Sequence, residues 1–243
     1  MALLSVNLDQ VAALREVRRF KEPDPAQAAV LAELAGADGI AIQLRRDRKY
    51  IRDRDLYILK EVVKTKLILE IPPTEEIIAK ALEVKPWMVT FVADHADSNA
   101  PVSGIDFNNA PIDYRDIVER FRGVGVNTCF LIEPNHDAIK GAHKAGASAV
   151  LINCSGFTEA RTLEQAQTGL DKIDNAAQQA VKNEMAAYAG RGVSYKNIFP
   201  LAELGVIDEF IIGYAIAIRA LLVGYERAVS EMLQLIHRSQ NRE

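Results

Sequence analysis

The feature that most constrains this chain is an eightfold alternation. Eight short apolar runs, at residues 3–7, 39–44, 66–71, 87–92, 127–133, 149–153, 184–189 and 209–213, are separated by stretches with helical periodicity. Most of the runs, such as KLILEI and WMVTFV, are nearly continuous in aliphatic and aromatic residues. That pattern belongs to parallel strands covered on both faces, because a strand with one wet face carries a polar residue at every second position. Between the runs, segments such as AQAAVLAELAGA, DLYILKEVVK, TEEIIAKALEV and YRDIVERFRGV repeat apolar residues at three- and four-residue steps, which gives a helix one buried face. A weak internal repeat supports the same reading. Leu34-Ala35-Gly36-Ala37-Asp38-Gly39-Ile40 and Lys144-Ala145-Gly146-Ala147-Ser148-Ala149-Val150 each end a helix and enter a strand, with Leu204-Gly205-Val206-Ile207 and Arg122-Gly123-Val124-Gly125 as variants. Their glycines fall where a helix end needs a left-handed residue. Pro25 and Thr74 mark helix starts.

Eight such units in 243 residues predict one (β/α)8 barrel domain spanning 1–243, a fold of about 250 residues. The alternative, a doubly wound open sheet, carries a glycine-rich phosphate loop after its first strand. Here the first run leads into Asn7-Leu8-Asp9-Gln10, with no glycine before Gly36. No linker and no low-complexity segment divides the chain. Thirty-three acidic against 29 basic side chains give a net charge of −4, which argues against a nucleic-acid partner. No uncharged apolar run reaches the roughly 20 residues of a membrane span; the best candidate, IIGYAIAIRALLVGY, is broken by Arg219. The opening MALLSVNLDQ meets an aspartate too early for a signal peptide. The two cysteines, Cys129 and Cys154, lie in apolar runs, so a reduced, cytoplasmic chain is expected. The longest irregular stretch, 94–111, follows the fourth strand; a loop of that length in a compact domain is usually functional, often a lid.

In such a barrel the active site forms at the C-terminal ends of the strands. Glu70, inside LILEIPP, is the most informative residue there, because a carboxylate in an apolar strand carries a desolvation cost. Two readings stand level: a structural carboxylate paired with an arginine in the barrel mouth, or a general base whose pKa burial has raised. Arg45 and Arg191 are the basic residues nearest the strand ends. Together with Gly190, Gly192 and Gly213 they suggest a phosphate site on strands seven and eight, the recurrent location in these barrels, so a phosphorylated small molecule is the expected ligand. The rest of RRDRKYIRDRD reads as a solvated basic face with capping aspartates. Asp94, His95, Glu133 and His136 follow neighbouring strands, but their spacing matches no ligand motif, and neither a metal nor a cofactor is expected. Cys154 reads as buried and inert; His143 and His237 read as surface residues.

The segments VNLDQVAALREVRR, DPAQAAVLAELAGADGIAIQLRRDRKYIRDRDLYIL, LILEIPPTEEIIAKALEVKP, AGRGVSYKN and IIGYAIAIRAL resemble the pyridoxine 5′-phosphate synthase family, and the likeness runs end to end. The resemblance implies a barrel with additional helices, assembled as a homo-octamer. It also implies condensation of 1-deoxy-D-xylulose 5-phosphate with 3-amino-2-oxopropyl phosphate to pyridoxine 5′-phosphate. Asn7, Asp9, Arg18, Arg45, Glu70, Gly192 and Gly213 match residues the family uses for substrate binding or, at Glu70, for catalysis. The family carries histidine where this chain has Gln10, Gln43, Tyr50, Arg191 and Tyr214, and two of those, Gln43 and Arg191, fall at acid–base positions. Leu151 stands where the family has an acidic residue in strand six, and the loop DHADSNAPVSGID replaces a threonine- and glycine-rich lid.

These departures bear directly on the chemistry. Ring closure needs repeated proton transfers near neutral pH, for which histidine is suited. Glutamine does not titrate, arginine stays charged, and tyrosine ionises near pH 10. The family reaction is therefore expected to be absent or very slow. Glutamine and tyrosine still hydrogen-bond, and Arg191 adds positive charge, so the pocket reads as retuned to hold an anion. A different reaction on a phosphorylated substrate, with Glu70 as base, stands level with a non-catalytic paralogue serving as a ligand-binding, assembly or regulatory protein. The family synthase with rerouted proton transfer ranks behind both.

Overall fold

The computed structural model describes residues 1–18, 20–94, 103–108 and 112–240. In chain order the elements are β1 (Leu3–Asn7), α1 (Asp9–Arg18), α2 (Pro25–Leu34), β2 (Gly39–Gln43), α3 (Asp53–Val62), β3 (Lys66–Ile71), α4 (Glu75–Val84), β4 (Met88–Phe91), α5 (Tyr114–Gly123) and β5 (Asn127–Ile132). They continue with α6 (His136–Ala145), β6 (Ala149–Asn153), α7 (Ser155–Thr158), α8 (Leu163–Lys182), β7 (Ala186–Gly190), α9 (Ile198–Glu203), β8 (Glu209–Ile212), α10 (Tyr214–Val223) and α11 (Tyr225–Gln240). Each strand pairs in parallel with the next, and β8 returns to β1 (Val6 opposite Ile212), so the sheet closes and the open-sheet alternative is excluded. The helices beyond one per strand are α1, α7 and α11, matching the extra helices expected. No helix among the described residues is long and apolar enough to cross a membrane.

Alternation along each strand splits the apolar residues into two layers. One set, including Ile40, Ile42, Leu69, Phe91, Phe130 and Ile152, packs outward against the helices. The other, with Ala41, Ile68, Met88, Cys129, Leu131, Leu151, Tyr188 and Ile211, fills the barrel interior. Strands apolar on both faces therefore read as continuous runs. Polar side chains close the interior above and below. At the N-terminal end of the strands, buried Glu209 takes a hydrogen bond from Ser5 Oγ and an ion pair from Lys66 Nζ.

The local signals act as expected, with two corrections. Asp24 accepts from the Ala26 N–H and Pro25 opens α2, while Gly146 ends α6 at φ +82°. Thr74 does precede α4, but its side chain makes no capping bond, and its Oγ1 is buried without a partner. The seventh strand runs Ala186–Gly190 rather than 184–189, because Glu184 takes φ +59° and turns the chain out of α8 before the strand begins.

Candidate active site

At the C-terminal ends of the strands lies a cavity of about 660 Å³. β1 supplies Asn7 and, just beyond it, Asp9 and Gln10; β2 leads to Gln43, Arg45 and Tyr50; β3 supplies Glu70 and β6 Leu151. β7 ends in Gly190 and is followed by Arg191 and Gly192, and β8 leads to Gly213 and Tyr214. The residues singled out for substrate or phosphate binding and catalysis thus converge on one site, except Arg18, which is exposed at the end of α1 and does not line the cavity of this chain. Ser194, Ile212 and Ile218 also line it, and nothing in the sequence pattern marked them.

Glu70 is fully buried, and its Oε2 accepts a 2.6 Å bond from Arg191 Nη2. The structure therefore answers the arginine-pair reading of Glu70 and names the partner. It also gives Arg191 a role beyond lending charge to the mouth. The pair leaves two groups without protein partners, the second Glu70 oxygen, Oε1, and Arg191 Nε. Arg191 sits at φ +70° and Gly192 at φ +71°. A left-handed arginine is a strained conformation, here held in place by the ion pair. Gly192 is obligatory, since a Cβ there would fall on Thr158 Oγ1. Gly213 packs as tightly: a Cβ would lie 2.8 Å from the Asn7 carbonyl oxygen.

Asp9 is held by three hydrogen bonds. Its Oδ1 accepts from the Gln43 backbone N–H at 2.8 Å and its Oδ2 from Asn7 Nδ2 at 3.0 Å, while its own N–H donates to Asn7 Oδ1 at 2.9 Å. Burial, and then the charge of Glu70, raise its pKa from 3.8 to about 7, against the lowering effect of the Gln43 and Asn7 bonds and of Arg191. The floor of the cavity is apolar: Leu151 is buried among Tyr188, Ile211 and their neighbours.

The basic run after β2 is largely tied to acidic partners. Arg45 Nε pairs with Asp47 at 3.1 Å, Arg46 with Asp94 at 2.8 Å and Arg48 with Asp53 at 2.7 Å. Glu133 accepts from Asn153 Nδ2 at 2.8 Å, and His136, which opens α6 rather than lying on a loop, meets Gln179 at 3.0 Å. Among the described residues no group of three or more His, Cys, Asp or Glu is gathered as a metal site. His95 and most of the long irregular stretch 94–111 lie outside the described residues. Cys129 and Cys154 are free and fully buried, and burial pushes the Cys154 thiol up to about 12. His143 is exposed and His237 half-buried.

Fold and site together define a (β/α)8 barrel protein whose candidate site opens at the C-terminal face, centred on a carboxylate–arginine pair. Solved structures agree on the fold alone. An aldolase described as a 4-hydroxy-2-oxoglutarate aldolase/2-deydro-3-deoxyphosphogluconate aldolase from TTHB1 superposes over 96% of this chain and 94% of its own, with a TM-score of 0.62 at 14% identity. The chain belongs to the family described as pyridoxal phosphate biosynthesis protein PdxJ, whose model matches residues 4–238. It is 43% identical to the pyridoxine 5′-phosphate synthase of Geobacter metallireducens, over 97% of this chain and 99% of that one. It is 42% identical to the synthase of Synechococcus sp., over 96% and 98% respectively.

Proposed function

We propose that the cavity binds a phosphorylated small molecule and carries out proton-transfer chemistry on it with its carboxylates, and that the condensation named for its relatives proceeds slowly or not at all. The observation that carries this reading is the composition of the cavity wall. Every family-matched position except Arg18 lines it, yet among the described residues no histidine does. Glu70 Oε1 and Arg191 Nε are buried without a hydrogen-bond partner in the protein, one an acceptor and one a donor. The strand-seven turn, with Gly192 and Arg191 in left-handed conformations, and Gly213 at the start of α10 bring backbone and guanidinium to the side of the mouth where barrels of this kind hold phosphate. The apolar floor at Leu151 favours a ligand with one uncharged face.

A second reading, the family synthase itself with rerouted proton transfer, is favoured by 43% identity over nearly the whole length of a relative that carries that name. Two experiments separate them: complementation of a strain lacking the synthase, and a direct assay with 1-deoxy-D-xylulose 5-phosphate and 3-amino-2-oxopropyl phosphate. The first reading expects no rescue and turnover at least about 10²-fold below a histidine-bearing relative; clear turnover and rescue establish the second. For the ligand class, inorganic phosphate or a sugar phosphate should raise Tm, and Arg191→Ala should abolish that response.

A homo-oligomer is supported by a groove in which Leu14 of α1, Leu31 of α2 and Leu221 of α10 are all exposed. An apolar surface of this kind marks an interaction site. Light scattering on the purified chain tests it, and a monomer would remove this part of the reading.

A further inference from the structure

We propose that Asp9 is the proton-transfer group of the cavity and that Glu70 is the fixed counter-charge of Arg191, the reverse of the role the sequence suggests for Glu70. The proposal rests on the reading of the cavity as the ligand site and deepens it.

The two carboxylates differ in their partners. Glu70 has one oxygen committed to a guanidinium 2.6 Å away, so protonating it means giving up an ion pair. Among the described residues, the hydrogen bonds of Asp9 come from Asn7 and Gln43 and from no cation. Its oxygens take one neutral N–H each, from Gln43 and Asn7, which leaves each oxygen a lone pair for a proton or a ligand. The Asn7 bonds grip both the side chain and the backbone N–H of Asp9, which fixes its position at the lip of β1. Asp9 is only partly covered and lines the cavity, so the remaining lone pairs have access to a bound molecule.

Among the described residues, the charged and titratable groups facing the same cavity are Glu70 from β3, Arg191 after β7, Arg45 and Tyr50 after β2, and Tyr214 at the start of α10. The arginines stay charged and unmodified tyrosines ionise near pH 10. With Glu70 tied to Arg191, Asp9 is the group among them suited to gaining and losing a proton near neutrality, and burial, then the charge of Glu70, moves it to about 7. In the transfer step, an Asp9 carboxylate oxygen takes a proton from a carbon or oxygen of the ligand, and the electron pair stays on the ligand. The same oxygen later returns the proton, and the Gln43 and Asn7 N–H groups hold the carboxylate in both states.

The test has two independent readouts. In protein labelled at aspartate Cγ, carbon NMR should find one carboxyl titrating near pH 7. That signal should vanish in Asp9→Asn and move to lower pH in Glu70→Gln, where the like charge is gone. All aspartates titrating below about pH 5 would overturn the proposal, as would survival of the signal in Asp9→Asn. Dihydroxyacetone phosphate in deuterated water is the chemical probe. The wild-type chain should speed exchange of the C–H beside the carbonyl, with a pH limb near 7. Asp9→Asn should lower exchange by at least about 10²-fold, and Glu70→Gln should shift the limb rather than remove it. No exchange by the wild type, or loss in Glu70→Gln with retention in Asp9→Asn, overturns the assignment. Inorganic phosphate separates the two levels. If it gives no thermal shift with the wild type, the ligand-site reading fails and takes the transfer role with it. A normal shift with no aspartate titrating near 7 sinks the Asp9 assignment alone.

Discussion

Glu70 and Arg191 stand 121 residues apart in the chain and meet at 2.6 Å in the barrel mouth, one fully buried and the other on a left-handed turn. The strand that carries Glu70 is fixed by the barrel, so the ion pair pins the loop after β7.

Removing one partner should therefore cost more than removing both. Arg191→Met leaves the buried Glu70 charge alone, and about 2–3 kcal/mol of stability should be lost, below the 3–5 of a fully enclosed pair because Arg191 retains some exposure. The double variant Glu70→Gln/Arg191→Met should recover most of it. Urea unfolding of the three proteins measures the coupling; a double variant no more stable than Arg191→Met removes the argument.

Asp9 predicts a stability that falls as pH rises. Its folded pKa, about 7, lies above its ordinary 3.8, so the folded chain binds more protons than the unfolded one between those values. The stabilisation from this group is complete below about pH 4 and is lost progressively as pH rises to about 7. A fully shielded group would lose about 4 kcal/mol over that span, and partial exposure brings the expectation to about 2. Asp9→Asn should abolish the slope and melt above the wild type at pH 8. Parallel pH–stability curves for the two proteins would contradict it.

Arg15 and Asp55 tie α1 to α3 through two bonds of 2.8 and 2.7 Å, both side chains buried. Burial opposes the Asp55 charge, but the Arg15 bonds and the Arg52 backbone N–H outweigh it and hold the carboxyl below its ordinary 3.8. Arg15→Lys cannot reproduce the planar fork and should cost about 2 kcal/mol. The contribution is present above the unfolded pKa near 3.9 and fades as pH falls through the lower folded value. The stability gap between wild type and Arg15→Met should therefore close in acid, and a gap that persists unchanged at pH 2 counts against the assignment.

On the proposed reading, putting back the residues that the family resemblance implies should raise the family reaction. The triple change Gln43→His, Leu151→Glu and Arg191→His supplies two titrating imidazoles and a carboxylate around the same cavity. Histidine tolerates the left-handed φ at position 191 better than most residues. Turnover of the two family substrates should rise by at least about 10²-fold over the unaltered chain. No rise in a folded triple variant would locate the loss elsewhere in the site.

The barrel was legible because its strands are covered on both faces and so read as unbroken apolar runs, from LLSVN to EFIIG. The start of β7 was not, since it is set by the left-handed turn at Glu184, which composition does not mark. Glu70 stood out as a carboxylate in the interior of an apolar strand, but its partner Arg191 lies four strands further along the chain, and nothing local links them. Asp9 was read as a binding residue only. Its raised ionisation comes from burial in the barrel mouth and from the charge of Glu70, 61 residues on, and neither is a pattern in the sequence around it.

The lower end of the barrel is plugged by Glu209 with Ser5 and Lys66, above which the interior is packed solid with side chains. The cavity is thus a blind well. A molecule that reaches Glu70 must back out along the path by which it came in, and a second molecule arriving behind it acts as a stopper. On the proposed reading, traffic through the site is last in, first out, and a small anion resting at the lip near Arg191 would be a brake on whatever lies deeper.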